Sequence, residues 1–132
     1  MKISQMIIDL ASDYIELGST LESKQNHLNV VCIAWNISIL PERNRKMAIT
    51  HFLANYKKNN PGDDEKNMKN IERDMELLIE EKIRRFPHFT TPIEYATISE
   101  NDSEYRIVVA SSPTRTKPIK PSNLASPTLV KH

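Results

Sequence analysis

The segment from Leu28 to Leu40, LNVVCIAWNISIL, is apolar on nearly every side and is followed by Pro41. At helical spacing its apolar residues fall on two opposite faces. One face holds Leu28, Val31, Cys32, Trp35 and Ile39, and the other holds Val30, Ile33, Ile37 and Leu40. A helix that is apolar all round is a buried helix. We therefore predict that a helix over residues 19–40 lies at the centre of the fold.

Three amphipathic patterns predict the other helices, at residues 3–17, 42–58 and 64–86. Gly18 suits the end of the first helix, and Ser19 with Glu22 forms a capping-box pattern at the start of the second. Each of the three amphipathic helices offers one apolar stripe that the central helix can cover. The prediction is a four-helix, bundle-like domain.

The pattern changes after residue 92, where β-branched and aromatic residues flank Asn101 and Asp102. This change predicts a β-hairpin over about 93–110. From residue 111 onward Pro, Ser, Thr and basic residues dominate, which is typical of a disordered tail over 111–132. The predicted fold class is mainly α with a C-terminal hairpin, an α+β arrangement with a single globular domain over residues 1–110.

Composition argues against several classes of protein. A chain of 132 residues has room for one domain. Its two glycines argue against a glycine-rich phosphate loop, and its one cysteine cannot form an internal disulfide. Asp9 and Asp13 interrupt the N-terminal apolar run, unlike a signal peptide or a membrane span. We expect a cytoplasmic protein with no membrane partner.

No combination of residues predicts a metal or cofactor site. His27 and Cys32 are the nearest pair of soft-metal ligands, and on a helix their side chains diverge by roughly 140°. Cys32 lies among apolar neighbours, where burial raises the pKa of a thiol and weakens it as a nucleophile. We therefore expect no cofactor and no metal. A small enzyme without a recognisable motif is the third and last of the functional hypotheses.

A narrow polar seam separates the two apolar faces of the central helix. Gln25, Asn29 and Asn36 lie on it. An amide buried at such a position must find hydrogen-bond partners or cost about 1–3 kcal/mol. Asn36 is therefore a candidate for fixing helix packing, and contact with a ligand or partner is the alternative.

The predicted third helix is basic, since five basic side chains stand against one acidic side chain between residues 41 and 62. A basic helix that follows a helix break can enter a nucleic-acid groove. The candidate contacts are Arg43, Lys46, Lys57 and Lys58. An ordinary solvated helix face has the same pattern, and the acidic segments nearby oppose phosphate binding. Nucleic-acid association through the basic helix over 42–58 and the basic tail is therefore the second functional hypothesis.

The second strand of the hairpin indicates protein interaction. A two-stranded unit leaves strand edges unpaired unless something covers them, and strand addition by a partner or by a second copy is one way to cover them. The candidate partner-binding residues are Tyr105, Arg106, Ile107, Val108 and Val109. The alternative is an edge covered by the chain itself. The first functional hypothesis is a small non-catalytic interaction or regulatory protein that binds through this edge, the third helix, or both.

Overall fold

The computed structural model describes residues 2–15, 19–102 and 104–111. Four helices precede a two-stranded antiparallel hairpin, which confirms the predicted α+β class. The elements are α1 (Ile3–Ser12), α2 (Leu21–Ile39), α3 (Glu42–Asn59), α4 (Glu65–Arg85), β1 (Ile93–Asn101) and β2 (Glu104–Ser111). The predicted tail lies outside the described residues except for Ser111, which ends β2.

Helix α1 is shorter than the sequence pattern predicts, because it ends at Ser12 rather than at residue 17. The Ser12 hydroxyl donates to the carbonyl oxygen of Asp9 at 3.1 Å. Such a bond competes with the main-chain hydrogen bonds of a helix. The chain then turns and buries Ile15, which is 4 % exposed. The predicted stop at Gly18 lies outside the described residues.

Helix α2 begins two residues later than predicted, and its cap is Thr20 rather than Ser19. The Thr20 hydroxyl accepts a hydrogen bond from the Ser23 N–H at 3.1 Å. Both Ser and Thr suit an N-cap position, so the capping-box pattern was wrong by one residue. Helix α4 has the cap that its sequence predicts, since the Asp64 carboxylate accepts from the Asn67 N–H at 2.8 Å.

Helix α2 is the central element, as predicted. It contacts all three other helices and β1. Leu28, Val31 and Trp35 are 0–1 % exposed and form the middle of the hydrophobic core. The Trp35 and Phe86 rings pack with their centroids 6.4 Å apart, which joins α2 to the end of α4. In the described part of the chain, no helix is apolar over a stretch long enough to cross a membrane.

The hairpin buries one face against the helices and leaves the other face open. Strand register runs from Ile93 opposite Ser111 to Asn101 opposite Glu104, with one extra residue in β1 between Ile93 and Tyr95. The buried face carries Ile93, Ala96, Ile98 and Ile107. The open face carries Tyr95, Thr97, Arg106 and Val108. Asp102 turns the chain with φ at 60°, a conformation that Asp and Asn tolerate better than most residues.

Candidate protein-interaction site

The outer edge of β1 is covered by side-chain amides of α2. The Gln25 Nε2 group donates to the Ala96 carbonyl oxygen at 2.9 Å, and the Gln25 Oε1 atom accepts from the Ile98 N–H at 3.0 Å. A primary amide offers a donor and an acceptor side by side, as a peptide unit does. Gln25 therefore takes the place that a neighbouring strand would occupy at this point of β1.

Asn36 covers the same edge near the start of β1. Its Nδ2 group donates to the Ile93 carbonyl oxygen and its Oδ1 atom accepts from the Ile93 N–H, each at 2.8 Å. The side chain is half-buried rather than fully buried. Of the two roles predicted for Asn36, these contacts correspond to packing, because both polar ends of the amide are used within the chain.

The spacing of Gln25 and Asn36 suits this task. Eleven residues are close to three helical turns, so the two amides lie on one side of α2 about 16 Å apart. The extra residue in β1 near Glu94 also determines which β1 backbone groups these amides can reach. Successive residues of a strand direct their backbone polar groups to alternate sides, so without the extra residue Ile93 and Ile98 would face opposite ways. The bulge directs both toward α2.

The same geometry gives the direction of the backbone groups on the opposite edge of the hairpin, which belongs to β2. Since the Ile98 N–H reaches Gln25, it points away from β2. In an antiparallel pair, such a residue lies opposite one whose polar groups also point away. Ile98 is opposite Ile107, and Ala96 is opposite Val109. The backbone groups of Ile107 and Val109, and by alternation those of Tyr105, therefore point outward.

The outward edge of β2 is open within the described part of the chain. No hydrogen bond joins the outward N–H and C=O groups of Tyr105, Ile107 and Val109 to another described residue. Helix α1 contacts β2, and the side chains of Tyr105 and Val109 are half-buried against the core. The apolar side chains of these residues are thus packed, while no described residue bonds their outward backbone groups.

The five candidate residues of β2 divide into two groups. Tyr105, Ile107 and Val109 supply the outward backbone edge. Arg106 and Val108 direct their backbone groups toward β1 and their side chains to the open face. Val108 is 51 % exposed, as is Tyr95 across the hairpin. The edge and the open face are therefore adjoining surfaces with different chemistry, one of hydrogen-bonding groups and one of side chains.

An ion pair between buried Lys24 and exposed Glu100 holds the turn end of the hairpin. The Lys24 Nζ atom lies 2.7 Å from a Glu100 carboxylate oxygen and also donates to the Ser19 carbonyl oxygen at 3.1 Å. Lys24 is 4 % exposed, and its ammonium lies 5.7 Å from the centroid of the Tyr105 ring. With Gln25 and Asn36, Lys24 gives α2 polar contacts along the whole length of β1.

The basic residues of α3 lie on the surface. Arg43, Lys46, Lys57 and Lys58 are all exposed. The ion pairs among the described residues involve none of them. Lys57 donates to the Asp63 carbonyl oxygen at 3.0 Å. Met47, on the same exposed side, is 74 % exposed. This surface is a positive stripe separate from the hairpin.

A cleft of about 520 Å³ lies between α1 and α4. Its polar residues include Tyr14 and Asp74, and the Tyr14 hydroxyl donates to the Asp74 carboxylate at 3.1 Å. Burial raises the pKa of Tyr14, and the Asp74 carboxylate raises it further. Burial also raises the pKa of the Cys32 thiol to about 12. Both groups are therefore held in their protonated forms near neutral pH, which suits neither a nucleophile nor a base.

Lys82 is a buried residue that the sequence patterns did not reveal. It is 2 % exposed, donates to the Phe89 carbonyl oxygen, and lies 4.8 Å from the centroid of the Trp35 ring. Burial lowers the pKa of Lys82, and the charge of Arg45 lowers it further. A signal was present, since position 82 lies one turn beyond Leu78 on the inner stripe of α4. Lys82 anchors the loop that leads into β1.

No protein-family model, curated protein or solved structure matches this chain. Among the described residues, no group of three or more His, Cys, Asp or Glu side chains is arranged to hold a metal ion.

Proposed function

We propose that this chain is a small non-catalytic interaction protein that binds an extended segment of a protein partner by strand addition to β2. The observation that carries the proposal is the difference between the two edges of the hairpin. Three polar side chains of α2 are committed to the β1 side, whereas the backbone of Tyr105, Ile107 and Val109 has no partner among the described residues. An unpaired strand edge of this kind is a template for another strand.

The preorganisation of β2 supports the same proposal. Its inward side chains are packed against the core, and Ile107 is 9 % exposed. The strand is therefore held in its extended conformation before a partner arrives. Ordering a flexible segment is a major cost of association, and here only the partner's segment would have to be ordered.

The test removes one outward N–H group without touching the β1 ladder. In Val109→Pro the outward donor is lost, and proline is tolerated on a strand edge whose N–H faces solvent. Val109→Thr is the matched control, because it keeps the donor and the branched shape. Affinity capture from native cells with the two tagged variants should recover the partner with the Thr variant and lose it with the Pro variant.

Equal recovery with both variants would contradict strand addition at this edge. Circular dichroism of each variant checks that the helices are retained. The partner is then identified from the proteins whose recovery differs between the two captures, rather than from everything that is recovered.

The basic stripe of α3 favours a second candidate function, nucleic-acid association. The supporting observation is that Arg43, Lys46 and Lys58 are exposed and form no ion pair with another described residue. When binding depends on phosphate contacts, the logarithm of the binding constant falls linearly with the logarithm of the salt concentration. The slope is about −0.9 per phosphate contact for duplex DNA. Replacing Arg43 and Lys46 by Gln should therefore reduce the slope by about 2 in a filter-binding titration. An unchanged slope, or no binding at low salt, would exclude this surface.

A further inference from the structure

The cleft between α1 and α4 combines acidic and apolar side chains. Four acidic side chains and one basic side chain line it. Leu10 and Leu78 also line it and are 3 % and 8 % exposed, whereas Leu77 is 56 % exposed. An apolar centre bounded by polar groups is the usual composition of a protein interface. The cleft therefore has the composition of a docking surface for an extended segment.

Two carboxylates of the cleft have no cationic partner within the described part of the chain. Asp13 and Glu81 pair with arginines of α4. Asp74 and Glu80 form no ion pair with another described residue. Asp74 is half-buried and accepts a hydrogen bond from the neutral hydroxyl of Tyr14. A matching occupant therefore supplies positive charge together with an apolar side chain.

The chain itself contains a segment with this combination. Residues 115–120, RTKPIK, hold three basic side chains, no acidic one, and the large apolar side chain of Ile119. Pro118 restricts the backbone beside Ile119, which lowers the entropy cost of ordering the segment. The other basic surface of the chain is α3, which is a helix of the domain and cannot enter the cleft of its own chain.

The segment begins close to the cleft. Strand β2 ends at Ser111, and α1, which forms one wall of the cleft, contacts β2. Residues 115–120 can reach up to about 13–30 Å from Ser111, whereas α1 is only about 15 Å long. A segment tethered to its site by a short linker acts at an effective concentration of about a millimolar. This tether favours the chain's own segment over the same segment of a second chain in dilute solution.

We propose that residues 115–120 of this chain dock in the acidic cleft between α1 and α4. The basic side chains lie against Asp74 and Glu80, and Ile119 covers Leu77. This docking is independent of the strand addition proposed for β2, because it uses different residues. It also places the positive charge of the tail against carboxylates, which opposes binding of the tail to phosphate groups.

Cross-linking of the wild-type chain tests the docking directly. A carbodiimide joins an amine to a carboxylate only when the two groups are in contact, so Lys117 or Lys120 should link to Asp74 or Glu80. An equal mixture of ordinary and heavy-isotope-labelled chains separates links within one chain from links between two chains, and links within one chain should dominate. Mass spectrometry of the peptides identifies both. Links mainly between chains, or tail lysines linked mainly to carboxylates outside the cleft, would overturn the proposal.

Disulfide formation gives a second measurement on the full chain. Leu77→Cys with Ile119→Cys, in a Cys32→Ala background, should form a disulfide within one chain under mild oxidation. The control pair is Met47→Cys with Ile119→Cys in the same background, because Met47 is 74 % exposed and lies on the basic α3. The cleft pair should link severalfold faster. Equal rates for the two pairs would contradict docking in the cleft, and circular dichroism checks that each variant keeps its helices.

The role of charge is measured on the cleft pair. Adding Asp74→Asn and Glu80→Gln should slow its linking about fivefold, because each exposed ion contact contributes only a small factor. Adding Glu65→Gln and Glu76→Gln removes as much charge from exposed positions of α4 that do not line the cleft, and should leave the rate unchanged. Equal slowing by the two pairs of substitutions would show general attraction to α4 and would overturn the proposed site.

Discussion

The two edges of the hairpin differ in the hydrogen bonding of their outward backbone groups. Along β1, the side chains of Lys24, Gln25 and Asn36 reach the strand from one helix and use its outward backbone groups or hold its end. Along β2, helix α1 packs against the side chains but makes no hydrogen bond to the outward backbone groups. Among the described residues, side chains of α2 therefore bond part of the β1 edge, whereas no such bond reaches the β2 edge.

Burying the face of a strand and hydrogen-bonding its edge therefore depend on different side chains. Apolar side chains of a helix can bury a strand's inner face at any register. Closing its edge requires donors and acceptors at the right spacing, and Gln25 and Asn36 provide them about three turns apart. Helix α1 helps to bury the inner face of β2 but forms no hydrogen bond with its outward backbone groups among the described residues.

The largest expected effect comes from opening the closed edge. Asn36→Leu leaves the N–H and C=O groups of Ile93 without their partner, and Ile93 is 3 % exposed. We expect a loss of about 2–4 kcal/mol in the free energy of unfolding. Urea denaturation followed by tryptophan fluorescence measures it, since Trp35 lies one residue away in the core.

The matched control is Asn29→Leu, on the same polar seam. Asn29 is exposed and accepts a hydrogen bond from Gln25, and it forms no hydrogen bond with a described residue of β1. The expected loss is below about 1 kcal/mol. If Asn29→Leu and Asn36→Leu were equally destabilising, the comparison between a closed and an open edge would lose its energetic basis.

A smaller effect should separate the two sides of β2 itself. Val108→Pro removes an N–H that points into the β1 ladder, opposite Thr97, and should cost about 1–3 kcal/mol. Val109→Pro removes an outward N–H and should cost less than half as much. Both variants are measured by urea denaturation at a protein concentration where the chain is monomeric. Equal costs would show that the outward groups of β2 also contribute to the stability of the single chain.

The fold was largely predictable, because the helices depend on local patterns. The apolar stripes located all four helices, and α2 was predicted to be central from its two apolar faces. Helix ends were less predictable. Helix α1 ends at Ser12, whose hydroxyl donates to the Asp9 carbonyl oxygen, and Thr20 rather than Ser19 caps α2. When two neighbouring residues have similar N-cap propensity, the sequence does not show which of them caps the helix.

The sequence marked Asn36 and the strand from Tyr105 to Val109 as candidates, but not how they are arranged. The polar seam of α2 and the outward residues of β2 are both visible in the sequence. Which backbone groups they face depends on the extra residue near Glu94, because a shift of one position reverses every backbone direction. No local pattern marks that bulge. The burial of Lys82 was not predicted, because lysine side chains are expected at the surface.

The cover on β1 comes from a helix that lies far earlier in the chain, since Gln25 and Ile98 are 73 residues apart. A ribosome releases the chain from its N-terminus, and domains begin to fold in that order. Helix α2 is therefore synthesised before β1, and the side chains that bond the edge of β1 come from the part of the chain made first. Strand β2 is synthesised after both.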